Sequence, residues 1–442
     1  MVIITQSPRS IVANINDNDD NNLSLYCPML ANNQLITPST FNQSLTDLTF
    51  GDTFNQMIRT GCLPASLLEL TFGNDFDQEL AAFALPSSIT RLSFGIPRSS
   101  SYLDNITSGS NFDHPIQPNA LPSSLTELLL GRSFDQMMPV GCLPPSLTIL
   151  AFEYASDFDR PIASGTLPIG LKTLLFGPRF DGTLEPGVLP PALQTLTLSR
   201  ASHLRLLPGV LPQSLKTLRF LLASMYNEPI APGTLPDGLR ELAFGNRFNQ
   251  DIMPGVLPSS LTKLTFGIDF KYEIASGALP SSLKVLKVLV DRPVPVGSIP
   301  ASLEDLYIGS RYPIMPGYLP AGLTSFKYLD QLLTRDLLPN TLTHLALGFL
   351  FKGFEHGASF PLSLKHMTLK NFGQMSFVPR WVDRVTVARV ASQTVLQSSI
   401  ILKDLMISAR ITQVHHTEPL SEWAPGIDLQ ALLNDMPNYV KW

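Results

Sequence analysis

A Leu-Pro dipeptide returns along this chain at Pro64, Pro86, Pro122, Pro144, Pro168, Pro190, Pro212, Pro236, Pro258, Pro280, Pro300, Pro320, Pro339 and Pro361, with Ile299 and Phe360 replacing the leucine at two of them. The successive spacings are 22, 36, 22, 24, 22, 22, 24, 22, 22, 20, 20, 19 and 22 residues. A period near 22 with a few insertions signals a solenoid, because each unit is one supersecondary element that cannot bury its apolar face alone and must stack on its neighbours.

Within the period, an apolar residue follows three positions after the proline, with others three and five positions later: Leu261, Leu264 and Phe266, or, in the first unit, Leu45, Leu48 and Phe50. Seventeen such triplets can be placed, the last two being Val382/Val385/Val387 and Leu402/Leu405/Ile407. The second and third positions have period two, so both side chains point inward from a short strand while their neighbours point out. Gly commonly follows, as at Gly51, Gly73, Gly131 and Gly245, and is expected to end the strand in a turn. Next comes Phe-Asn or Phe-Asp, as at Phe54-Asn55 and Phe134-Asp135. The Phe can re-enter the core, and the Asn or Asp can bond loop amides that stacking would leave unpaired. No segment of the unit has the period or length of a helix. These features predict a mainly β, leucine-rich-repeat-like, right-handed solenoid of about 17 coils over residues 41–411. A polar segment, 1–40, precedes it, with the tract Asn14–Asn22 read as disordered. A C-terminal cap, 412–442, follows, where Asp428 would N-cap a short helix.

Composition narrows the function. The 31 basic and 36 acidic residues give a net charge of −5, which offers no electrostatic footprint for nucleic acid or an anionic membrane. No run reaches the roughly 18 apolar residues of a membrane span, and the N-terminus lacks the pattern of a signal peptide, so a cytoplasmic chain is expected. The three cysteines include no Cys-x-x-Cys pair, which argues against a disulfide framework or structural zinc. Without a secretory route, the sequons at Asn22, Asn42 and Asn105 read as chance matches.

The units resemble the FNIP repeat, a leucine-rich-repeat variant of social amoebae and amoebal giant viruses. Phe112-Asp113-His114-Pro115-Ile116 and Phe158-Asp159-Arg160-Pro161-Ile162 carry the resemblance most closely, and Phe248-Asn249-Gln250-Asp251-Ile252 lacks only the proline. The resemblance covers roughly residues 41–370 and implies an elongated scaffold for protein binding. Some members of the family carry an F-box that docks on a cullin ubiquitin ligase; residues 1–40 hold no recognisable F-box, so an adaptor role is carried by analogy alone. The Leu-Pro repeats also look like those of bacterial leucine-rich-repeat ubiquitin ligases, but Cys142 is the last cysteine and no catalytic cysteine domain follows.

Repetition creates a ladder of outward positions. One column runs Asp47, Glu69, Arg91, Glu127, Ile149, Thr173, Thr195, Thr217, Glu241, Lys263, Val285, Asp305, Ser325, His344, His366, Arg384 and Asp404; a second contains Arg219, Lys287, Tyr307 and Lys327. Asp47 and Glu69, on adjacent coils about 5 Å apart, have the separation of retaining glycosidase carboxylates, but a solvated ladder beside Arg91 accounts for them. His344 and His366 are neighbours without a third ligand at defined spacing, so no metal centre is assigned. His415-His416 with Glu418 reads as an exposed loop. Cys62 and Cys142 lie three coils apart, about 14 Å, beyond disulfide reach, and read as small core residues. The expectation is a non-enzymatic scaffold with no cofactor, metal or small-molecule substrate, binding a protein partner along its strand-lined face. Lys263, Lys287, Lys327 and Arg384 favour an acidic partner segment. The alternative is a parallel β-helix acting on or binding carbohydrate.

Overall fold

A computed structural model describes residues 36–95, 109–153, 155–201, 204–290, 297–310, 317–333, 337–354, 360–369 and 378–387, the strands at 2–3 and 24–27, and residues 295 and 314. The seventeenth triplet and the predicted C-terminal cap and helix lie outside the described residues. The chain divides into two compact units, Met1–Phe270 and Lys271–Trp442. Every described element in both is strand, turn or irregular chain, as the short period requires.

The first unit holds β1 (Val2–Ile3), β2 (Ser24–Cys27), β3 (Asp47–Phe50), β4 (Glu69–Phe72), β5 (Arg91–Phe94), β6 (Glu127–Leu130), β7 (Ile149–Phe152), β8 (Thr173–Leu175), β9 (Thr195–Leu198), β10 (Thr217–Phe220), β11 (Glu241–Ala243) and β12 (Lys263–Thr265). Each strand pairs in parallel with the next, Leu48 opposite Leu70 and Leu70 opposite Leu92. The second unit holds β13 (Val285–Val290), β14 (Asp305–Ser310), β15 (Ser325–Leu333), β16 (His344–Phe354), β17 (His366–Leu369) and β18 (Arg384–Val387), again parallel in sequence order.

Sixteen of these strands, β3 to β18, carry the predicted triplet, so the expected count of 17 is slightly high for the described residues. A strand that the triplet did not announce precedes them: β2 pairs with β3 and places Leu25, which is buried, opposite Leu48. No Leu-Pro signal marks it.

In the first unit two columns of aromatic rings run through the core. Phe50 stacks on Phe54 at 4.0 Å within one coil, and Phe72 on Phe76 at 3.8 Å in the next. Between coils, Phe54, Phe76, Phe112, Phe134, Phe158 and Phe180 follow one another with centroids 6.0–6.1 Å apart. All six are buried. The Phe of the Phe-Asn pair therefore does re-enter the core. Offset stacking adds roughly 0.5–1.5 kcal/mol per pair beyond the area each ring removes from water. Leu130 interrupts the strand column, and one later coil interrupts both columns, with Leu198 and Leu204. They resume with Phe220 on Tyr226 at 4.4 Å.

Polar ladders satisfy the loops. The Asn55 side-chain oxygen accepts the amide of Asp77 at 2.9 Å, Asp77 that of Asp113 at 3.2 Å, Asp113 that of Asp135 at 2.8 Å, Asp135 that of Asp159 at 2.9 Å and Asp159 that of Asp181 at 2.9 Å. Asn227 repeats this for Asn249 at 2.7 Å. A second ladder begins two residues after the proline: Ser66, Ser88, Ser124, Ser146, Ser214 and Ser260 each donate to the carbonyl of the first triplet residue one coil earlier, at 2.6 Å. These bonds close backbone groups that stacked irregular chain would otherwise leave open.

The glycine after the strand has a different reason from the turn geometry expected for it. A Cβ at Gly73 would overlap the Gly51 carbonyl, and one at Gly267 the Gly245 carbonyl, so the residue is fixed by the approach of consecutive coils. The left-handed backbone falls mainly in the turn before Leu-Pro, for example at Gly187 (φ 85°) and Gly255 (φ 83°), with Gly95 (φ 98°) as a strand-ending exception.

Candidate functional site: the outward strand ladder

Because the strands within each unit pair in register at the start of every repeat, the repeat period decides which outward side chains become neighbours. In the first unit Asp47, Glu69, Arg91, Glu127, Ile149, Thr173, Thr195, Thr217, Glu241 and Lys263 stand opposite one another in that order. Within the second unit the same repeat position runs from Val285 through Asp305, Ser325, His344 and His366 to Arg384. The second column brings Lys287 opposite Tyr307 and Tyr307 opposite Lys327. In the first unit this column holds Arg219 opposite Ala243. It also contains a buried apolar stretch, Leu129, Ala151 and Leu175.

Charge in the first unit is largely matched within the ladder. Arg91 bridges two coils, its Nη1 at 2.7 Å from Glu69 Oε1 and its Nε at 2.8 Å from Glu127 Oε2. Glu241 is held from both sides, by Arg219 at 3.0 Å and by Lys263 at 3.1 Å. Burial alone would raise the Glu241 carboxyl, but the bonds and charges of Arg219 and Lys263 outweigh it and hold the group below its ordinary range. Pairing of Arg219 with Glu241 runs between the two columns, a diagonal contact that reading each column separately misses. Asp47 accepts a hydrogen bond from the Thr46 hydroxyl at 2.7 Å. Asp47 and Glu69 are adjacent, as expected, and Glu69 is engaged by Arg91.

The second unit differs. Lys287 Nζ lies 5.1 Å from the centroid of the Tyr307 ring, a cation–π distance. The His344 and His366 rings stack with centroids 4.4 Å apart and planes inclined by 24°. Burial, then the neighbouring His344 and Arg384, lower the His366 pKa from its ordinary value. Lys284, beside the ladder, pairs with Glu304 at 2.7 Å.

Among the described residues no group of three or more His, Cys, Asp or Glu is placed to hold a metal ion. Cys62 and Cys142 are free and buried, and burial pushes the Cys142 thiol up to about 11, so it is not an activated nucleophile. A cavity of about 530 Å³ lies among the turns after the strands, lined by Asp52, Asn74, Asp75, Ser110, Arg132 and Asp157 among others. Glu153 is an acid that sequence reasoning missed: it occupies the position of the strand-ending glycine and is only 1% exposed. The signal was a carboxylate interrupting a column of glycines.

The FNIP repeat family model matches residues 33–75, 54–96, 112–155, 158–201, 226–269 and 248–288. Among solved structures, CroV588, a circular leucine-rich-repeat protein from a giant virus, is 32% identical, with a TM-score of 0.64 over 80% of this chain and 54% of that one. The chain thus spans about half the length of that relative. YopM from Yersinia enterocolitica matches at 18% identity and a TM-score of 0.42, covering 83% of this chain and 82% of YopM. TLR13, solved as a complex with ssRNA13, matches at 16% identity and 0.46, covering 74% of this chain and 51% of TLR13. Scores this low carry no structural argument. A comparison with curated proteins gives no match. Six matched repeats, the repeated Phe-Asn and Phe-Asp ladder and the giant-virus relative agree, and the chain is an FNIP-repeat protein with a leucine-rich-repeat-like fold.

Proposed function

We propose that this protein is a non-enzymatic scaffold that binds another protein along the outward face of its strands. One observation carries the reading: the coil keeps its inward leucines, loop acids and turn glycines, while the outward column changes chemistry from coil to coil. Between Asp47 and Lys263 it passes through acid, base, aliphatic and hydroxyl side chains in strict register. A surface whose framework is constant and whose exposed row varies suits recognition of an extended macromolecular partner. Likeness to leucine-rich-repeat scaffolds supports the same class. A cytoplasmic setting fits the free buried cysteines.

An acidic segment is the partner chemistry that the second unit favours. Its two columns contain Lys287, Lys327 and Arg384 against Asp305. Lys263 is paired with Glu241 within the first unit. The test is affinity capture from amoebal cell extract with the intact chain and with a Lys287→Glu, Lys327→Glu, Arg384→Glu variant that keeps its circular dichroism spectrum. Proteins with acidic segments recovered by the first and lost by the second support the reading, and cullin components among them would extend it to a ligase adaptor. Identical recovery by both would remove this face from consideration.

A further inference from the structure

One of the two stacked imidazoles of the second unit has its proton placed as metal ligands need it, a task that protein binding does not require. His344 and His366 are register partners on β16 and β17, with ring centroids 4.4 Å apart. A single hydroxyl decides the tautomer of the first. Thr343 donates its only hydroxyl proton to the Thr324 carbonyl at 3.1 Å, since a carbonyl can only accept. Toward His344 Nδ1, 2.8 Å away, the same oxygen therefore offers a lone pair. The neutral ring must carry its proton on Nδ1, which leaves the lone pair on Nε2. A ring nitrogen bonded through its proton to a fixed oxygen, with the other nitrogen free to donate, is the arrangement that orients histidines toward metals.

We propose that His344 and His366 form a two-imidazole site for a divalent transition metal, with Thr343 as positioning residue and exchangeable ligands completing the coordination. Parallel strands about 4.8 Å apart put both rings within reach of one ion, and turning the rings out of their stacked arrangement would let both nitrogens meet it at about 2.0–2.1 Å. His344 is exposed, so an ion reaches the pair from solvent. Neighbours in the column are Ser325 on one side and Arg384 on the other, and neither supplies a carboxylate; Asp383, beside the column, acts on His366 through its charge. Imidazole donors without carboxylate select copper, nickel or zinc over calcium or magnesium, and copper(II) binds tightest in the usual order. The Arg384 charge keeps the affinity modest. This site stands independently of the protein-binding reading.

The probe is copper(II) alone, titrated into the purified full chain and followed by electron paramagnetic resonance and calorimetry. One equivalent should show nitrogen hyperfine structure from two imidazoles. His344→Ala and His366→Ala should each lose that equivalent while keeping the wild-type circular dichroism spectrum. Thr343→Val, which keeps both rings, should weaken binding by roughly 10- to 100-fold. A His415→Ala, His416→Ala variant should bind as the intact chain does. Equal copper stoichiometry and affinity in His344→Ala and the intact chain would overturn the assignment, as would absence of binding to the intact chain or loss of the signal in the His415/His416 variant.

Discussion

The two units use one coil but close it differently. Repeat strands in the first unit, β3 to β12, are three or four residues long. The chain then leaves the sheet for a loop whose amides are taken by the Asn and Asp ladder and whose Phe stacks in the core. In the second unit β13 and β14 reach six residues, β15 nine and β16 eleven. Its core positions are Val288, Ile308, Tyr328 and Leu347, and no Asn or Asp ladder appears among its described residues. The sequence marks the change: from Pro280 to Pro339 the spacing drops to 20, 20 and 19 residues as the Phe-Asn segment disappears. Extending the strands lets backbone bond backbone, so fewer side chains are needed to satisfy the loops. Short strands hand that work to side chains, and with it a dependence on particular residues.

That contrast can be broken most severely in the aromatic columns. Phe76 is fully buried between Phe54 and Phe112, and Phe76→Ala should cost about 3–5 kcal/mol in urea unfolding. Val288→Ala, at a smaller buried side chain of the second unit, should cost about 2 kcal/mol. A loss at Phe76 no larger than that at Val288 would mean that neither the larger ring nor its stacking stabilises the first unit.

Asp135→Ala should cost about 1 kcal/mol, because the Asp159 amide and the Arg160 guanidinium lose their acceptor. Hydrogen exchange at the Asp159 amide should accelerate in the same variant. The ladder's one aromatic exception offers a change of opposite sign. Tyr226 is 1% exposed, and its hydroxyl meets no partner among the described residues. Tyr226→Phe should therefore stabilise the chain by about 1 kcal/mol, read as a higher urea midpoint with unchanged slope. A lower midpoint would show that the hydroxyl is satisfied.

The smallest effect separates the charge ladders. Glu241 has a folded-state pKa below its unfolded value, so its contribution is present above the unfolded pKa and lost as pH falls through the folded one. Unfolding curves between neutral pH and about pH 3 should show the loss on acidification reduced in Glu241→Gln, with circular dichroism as readout. An unchanged profile would mean that Arg219 and Lys263 do not stabilise the folded carboxylate.

Much of this was legible because the period fixes the register. Once Leu48, Leu70 and Leu92 are recognised as one position, Asp47, Glu69 and Arg91 must follow as neighbours, even across the 36-residue spacing that separates Arg91 from Glu127. The amide-capping role of Asn55 and Asp77 was legible for the same reason, since one side chain per coil faces one open amide per coil. The serine ladder was not, because Ser66 and Ser88 sit where proline turns favour small polar residues in any case. Nor was β2, which carries no Leu-Pro mark and is recognised only by Leu25 standing opposite Leu48. The Arg219–Glu241 pairing depends on side-chain reach across two columns, which spacing does not encode.

If the protein is a scaffold of the proposed kind, its outward columns contact the partner. Lysine-directed labelling with mass spectrometry, on the free chain and on its complex with a captured partner, tests it most directly. Lys287 and Lys327 on the outward column should be shielded in the complex while Lys271, in the irregular chain after Phe270, labels as before. Shielding of Lys271 with Lys287 and Lys327 unchanged would place the contact on the loops and contradict the account.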